Sequence, residues 1–236
     1  MIIFALDSAT AAGSAAIMRD GELLSEQVSD GAQPHSMALM PMCDEVFRQA
    51  GVSPHEIDGY AVTAGPGSFT GLRIGMGIIK GMAFGTGKPC AAVSTLEALA
   101  WGLRGSRRTV AAVLDARQGR VYTAGFAPGE DVRRLDADGV LYIGELAGRY
   151  AGQTVTFVGD AAELCYNELK DTLNCRLAPR EFQCPRASCV ARAAVERDQW
   201  RTAAALVPEY LQLPQAQRQR LNRFPPMAEE SAIDVE

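Results

Sequence analysis

The chain has 236 residues, 47% of them apolar and 22% charged, with a formal charge of −5. That length makes one large or two small domains with a core that needs no staples, and that composition excludes a disordered chain. The acidic balance argues against strong independent binding to nucleic acid, whose affinity rests on neutralised phosphates, and no apolar run reaches the roughly 18 residues that span a bilayer.

Met1–Asp7 has no basic stretch ahead of its apolar run and reads as a strand, Ile2–Asp7, rather than a signal peptide. Ser14–Met18 and Glu22–Val28 flank Arg19-Asp20-Gly21, and Asp-Gly signals a hairpin. A helix is expected from Ser36, as N-cap, to Ala50, with Gly51 at C′ and with Pro41 as a kink or restart. Its apolar stripe is Leu39, Cys43, Val46, Phe47 and Ala50, with Met37 and Met40 largely off it. Ile57–Thr63 is a strand, Gly65–Ser68 a turn and Phe69–Phe84 a helix. Cys90–Val93 is a strand, and Ser94 or Thr95 caps a helix to Leu103.

Gly102–Arg108 is polar, basic and glycine-containing, the best place for a domain boundary. Thr109–Ala116 and Val121–Ala127 are strands around Arg117-Gln118-Gly119, and a weak third strand lies at Val132–Leu135 or Val140–Tyr142. Helix Ile143–Tyr150, strand Thr154–Val158, helix Asp160–Lys170, strand Cys175–Leu177 and helix Ser188–Asp198 follow. Both halves thus read βββαβαβα, and each opens with a strand ending Leu-Asp. The fold class is α/β: two tandem ribonuclease-H-like lobes, residues 1–104 and a smaller 105–211, the plan of the actin and sugar-kinase superfamily. That likeness is one of fold and assigns no activity. Residues 212–236, with Arg218, Arg220 and Arg223 ahead of an acidic end, read as a flexible tail.

The 23 glycines, about 10% against an average of about 7%, concentrate between Gly65 and Gly87. On a helix, Gly71 and Gly75 form one stripe and Gly77, Gly81 and Gly85 a second on nearly the opposite face. Four interior glycines cost roughly 4 kcal/mol relative to alanine. Close backbone approach on one or both sides is the expected compensation. Gly65–Ser68 is neither a P-loop nor a dinucleotide fingerprint; it reads as a tight βα turn, with anion binding as the alternative.

Catalytic groups are sparse. His35 and His55 are the two histidines, and neither has a histidine four residues away to share a metal. The six cysteines include no C-x-x-C pair and read as reduced, small apolar residues of a cytoplasmic protein. Asp7 and Asp115 stand at equivalent strand ends. With Ser8 and Thr10 they form a vestigial phosphate loop, or they cap turns through their own side chains.

Gly65-Pro66-Gly67-Ser68-Phe69-Thr70-Gly71-Leu72-Arg73-Ile74-Gly75, with Ala5–Thr10, His35-Ser36, Met37–Pro41, Val93–Ala100 and Leu114–Tyr122, resembles the TsaB (YeaZ) family over Met1–Leu211. The resemblance implies a non-catalytic paralogue of TsaD, the metal-holding protein that transfers threonylcarbamoyl to N6 of the tRNA adenosine beside the anticodon. It implies a scaffold that pairs with TsaD through first-lobe helices, is joined by TsaE, self-associates when alone and meets tRNA only within the complex. Where TsaD has paired metal-binding histidines, this chain has His35 and Leu39; Gln212 replaces the arginine of a family Pro-x-Tyr-Leu-Arg ending. The contact residues expected on this reading are Met37, Met40, Arg73, Met76, Gly77, Lys80 and Gly81. No metal site, no tightly held cofactor and no membrane contact are expected. The rival readings are an ATP-dependent phosphotransferase of the sugar-kinase class and a metalloprotease.

Overall fold

Near-continuous apolar strands need cover on both faces, and both sheets of this protein receive it. The structure is a computed structural model that describes residues 1–212. The tail expected beyond Gln212 lies outside the described residues. The first half forms β1 (Ile2–Asp7), β2 (Ser14–Arg19), β3 (Glu22–Val28), α1 (His35–Ala50), β4 (Gly59–Gly65), α2 (Phe69–Thr86), β5 (Cys90–Ser94) and α3 (Thr95–Trp101). The second forms β6 (Thr109–Arg117), β7 (Arg120–Phe126), β8 (Gly139–Tyr142), α4 (Glu145–Arg149), β9 (Thr154–Val158), α5 (Ala162–Leu169), β10 (Asn174–Leu177) and α6 (Ala187–Arg197).

The two five-stranded sheets have one topology, β3-β2-β1-β4-β5 and β8-β7-β6-β9-β10. In each, the first three strands are antiparallel neighbours and the last two join in parallel. Alternation sorts the core. Phe4 and Leu6 face the cluster beneath α1 and α2, while Ile3 and Ala5 face α6. In β6, Ala111 and Val113 face α4 and α5, and Val110, Ala112 and Leu114 face α3.

Packing does not divide the chain where its sequence does. α6, from the second half, lies on the first sheet, where Ala187, Val190, Ala191 and Ala194 meet Ile3, Ala5, Ala16 and Ala61. α3, from the first half, sends Leu96, Leu99 and Ala100 into the second sheet's cluster. Alanines on both sides of the α6 contact bring helix and sheet close. An ion cluster lies where these elements meet. Glu97 on α3 pairs with Arg197 on α6 and, at 3.0 Å, with Arg134, which also pairs with Asp138.

Some local expectations change. α1 begins at His35 after Pro34, without a side-chain cap, and runs unbroken through Pro41. Gly51 closes it in the left-handed conformation at φ 62°. The weak third strand of the second half is Gly139–Tyr142, while Arg134 makes an isolated bridge to Phe126.

Candidate functional site

Two surfaces contain the singled-out residues: a cleft at the ends of β1 and β6, and the outward side of α2. The cleft, about 720 Å³, lies among Ala9, Thr10, Ser68, Asp115, Asp160 and Tyr210. Asp7 and Asp115 make the same Asx turn. Asp7 Oδ1 accepts the Ala9 N–H at 3.2 Å, and Asp115 Oδ1 accepts the Arg117 N–H at 2.7 Å. Their settings differ. Asp115 is exposed and pairs with Arg117 at 3.3 Å. Asp7 is fully buried; its Oδ1 also accepts from the Thr63 hydroxyl at 2.7 Å, and burial pushes its carboxyl up to about 7. Asp7 Oδ2 has no hydrogen-bond partner among the described residues.

The loop hydroxyls are occupied internally. Ser8 Oγ donates to the Gly71 carbonyl at 2.9 Å and Thr10 Oγ1 to the Ala12 carbonyl at 3.2 Å. The Ser68 N–H donates to the Ala9 carbonyl at 2.7 Å. His35 Nε2 lies 2.8 Å from the Thr10 carbonyl; since a carbonyl only accepts, this nitrogen carries a proton. Asp160 accepts the Asp115 N–H at 2.9 Å, and burial pushes its carboxyl up; no local sequence pattern marks it for the cleft. The same holds for Cys184, whose thiol burial raises and which interacts with Asp7 and Thr10. No group of three or more His, Cys, Asp or Glu side chains able to hold a metal occurs among the described residues. No helix of the described residues is long and apolar enough to cross a membrane.

The glycine stripes of α2 have opposite surroundings. A Cβ at Gly71 would collide with the Ser8 carbonyl oxygen, and one at Gly75 with the Ser8 hydroxyl. The first stripe therefore packs on the β1 end of the same chain. At Gly77, Gly81 and Gly85 a Cβ would meet nothing within 4 Å among the described residues. Phe84, on the same outward side, is 88% exposed; on the neighbouring α1, Met37 is 65% and Met40 45% exposed.

Met76 must be corrected. It is 3% exposed and belongs to the core stripe Leu72, Met76, Ile79 and Ala83, so it does not reach this surface. That stripe follows i, i+4, i+7, i+11 and was readable in the sequence. Lys80 is half-buried, its Nζ donating to the Leu206 carbonyl at 3.0 Å. Arg73 is exposed and stacks on Phe69 and Tyr210. Both contacts engage a C-terminal strap, residues 201–211. It pairs with β5 through Arg201 and Cys90, buries Leu206 completely and donates the Glu209 N–H to the Ala64 carbonyl at 2.7 Å. The strap's close passage requires a glycine at Gly65, where φ is 133° and a Cβ would strike the Glu209 carbonyl oxygen.

A family model described as TsaD, tRNA N6-adenosine threonylcarbamoyltransferase, matches residues 23–219. The chain belongs to this family. Within it, the resemblance to TsaB (YeaZ) is carried by named relatives. The chain is 39% identical over 134 residues to the tRNA threonylcarbamoyladenosine biosynthesis protein TsaB of Escherichia coli, a match covering 56% of this chain and 57% of that protein. It is 27% identical over 229 residues to TsaB of Bacillus subtilis, covering 92% and 96%. The chain spans only about half the length of the Escherichia coli and Haemophilus influenzae relatives it matches, 57% and 52%. The structure of YeaZ from Pseudomonas aeruginosa superposes with a TM-score of 0.74 at 28% identity, covering 89% of this chain and 99% of that one. A ROK hexokinase from Thermus thermophilus, TM-score 0.50 at 14% identity over 84% and 100%, shares the fold alone.

Proposed function

We propose that the chain is a non-catalytic subunit in tRNA threonylcarbamoyladenosine biosynthesis that docks a TsaD-like transferase on the outward sides of α1 and α2. The observation that carries this reading is the open stripe Gly77, Gly81 and Gly85, ending in an 88% exposed Phe84. Glycines inside a helix cost stability, and among the described residues nothing packs against these to offset that cost. A partner helix brought close against them, covering Phe84, Met37 and Met40, supplies the offset. Burial of each such side chain contributes about 2 kcal/mol. Docking activates the transferase to the extent that its competent arrangement binds this face more tightly than the alternatives.

Support for a non-catalytic role comes from the loop hydroxyls of Ser8 and Thr10, both of which donate to backbone carbonyls of this chain. On this reading the chain holds no nucleotide or metal tightly, a TsaE-like protein joins the complex, and tRNA binds through the partners. The same open stripe supports self-association when no partner is present, and the setting is the cytoplasm. Co-expression with the TsaD-family transferase of the same organism tests it. The two proteins should co-purify, and modification of tRNA should depend on adding this chain. Full modification without it would refute the proposal.

A further inference from the structure

The open stripe of α2 has a charged end. Arg73, Gly77, Gly81 and Phe84 succeed one another at i, i+4, i+8 and i+11, so they share one face over about 16 Å. α2 contains Arg73 and Lys80 and no acid, within a chain of net charge −5. Lys80 is turned to the strap, which leaves Arg73 as the cation of the outward stripe.

Its guanidinium is held in place. The Arg73 Cζ lies 3.7 Å from the centre of the Phe69 ring and 5.8 Å from that of Tyr210, and its Nε donates to the Tyr210 hydroxyl at 2.9 Å. The two rings are themselves 4.9 Å apart. Tyr210 is brought there by the strap, which buried Leu206 and the Glu209–Ala64 hydrogen bond fasten to the first lobe. Among the described residues no carboxylate pairs with Arg73. An arginine engaged through its ring face and Nε keeps both Nη groups as a preset fork, which matches a carboxylate in two parallel hydrogen bonds. Fixing it beforehand removes rotamer entropy otherwise lost on binding.

We infer that the strap is a third element of the docking face, that Tyr210 positions Arg73 there, and that the occupant is a partner helix with a carboxylate opposite Arg73. A helix fits because the stripe beyond Arg73 is a glycine groove that admits a side-chain ridge and close backbone, with Phe84 at its far end. This inference rests on the docking proposed above.

The test measures, by titration calorimetry, the affinity of the full chain for the TsaD-family transferase of the same organism. The variants are Arg73→Lys, Tyr210→Ala, the two combined, and Phe84→Ser. Arg73→Lys keeps the charge of an exposed side chain and removes the fork, so it leaves the fold intact. It and Tyr210→Ala should each weaken binding about tenfold, and the pair little more than either alone, since clamp and fork act as one unit. Loss with Arg73→Lys alone would remove Tyr210 from the role, and loss with Tyr210→Ala alone would overturn the carboxylate fork. If Phe84→Ser weakens binding and neither of the others does, the inference fails while the docking stands. If all three leave affinity unchanged, the docking itself is wrong. Loss of tRNA retention at unchanged partner affinity would assign Arg73 to phosphate and also overturn the inference.

Discussion

Asp7 carries a carboxyl far from its usual state. Its carboxyl titrates at about 7 in the fold, because burial opposes its charge, against about 3.9 in an unfolded chain. Between those values the native state holds more protons than the unfolded one. Asp7 therefore stabilises the fold most below about pH 4, and that contribution is lost as pH rises through 7. Asp7→Asn keeps the acceptor for Thr63 and Ala9 without the charge. It should leave the melting temperature near that of wild type at pH 4 and raise stability at pH 8, by of order 1–4 kcal/mol. Melting curves from pH 4 to 9 check this, and parallel pH profiles for the two proteins would contradict it. The Asx turns at Asp7 and Asp115 were legible in the sequence because they depend on local spacing. The burial separating the two acids was not, since it depends on Thr63 of β4 and on the packing of α2 against neighbouring Ser8, and both of those elements are remote in sequence.

At the scale of elements, the glycine spacing of α2 already separated two faces, and the structure gives each its surroundings. The consequence is a contrast within one helix. Gly71→Ala or Gly75→Ala places a Cβ on Ser8 and should destabilise the chain by about 1–3 kcal/mol. Gly77→Leu or Gly81→Leu meets open space and gains helix propensity, so its melting temperature should equal or exceed that of wild type. Thermal melts of the four variants decide it; early unfolding of the Gly77 or Gly81 variants would mean that the second stripe is packed. The strap was not legible. It has no strand or helix period, and its hold depends on a few scattered contacts: buried Leu206, Ala203 against the core cluster beneath α1 and α2, Tyr210 on Phe69, and hydrogen bonds with Ala64, Cys90 and Lys80. Met76 belongs to the buried stripe of α2, whose i, i+4, i+7, i+11 spacing separates it from the open glycine face.

For the whole molecule, the duplicated βββαβαβα order emerged from strand and turn signals, and the sheets repeat it strand for strand. The exchange of α3 and α6 between sheets did not emerge. An alanine-rich helix has the same local pattern whichever sheet receives it, and its destination is fixed by the facing alanines of β1, β2 and β4. The Glu97 cluster fastens that exchange. Glu97→Gln leaves Arg134 and Arg197 without their shared carboxylate and should cost about 2 kcal/mol or more. Asp20→Asn, at an exposed pair with the amino terminus, should leave the melting temperature unchanged. Equal melting temperatures for the Glu97 variant and wild type would show that alanine packing alone holds the two halves.

On the docking proposed above, the chain works through the open face of α2 rather than through its cleft. That docking is tested most directly by the binding constant between the chain and the TsaD-family transferase of the same organism, for wild type and Gly81→Leu. Wild type should form a tight complex, and Gly81→Leu should be folded as a monomer but bind at least about tenfold more weakly. A folded Gly81→Leu chain with undiminished affinity would contradict the docking.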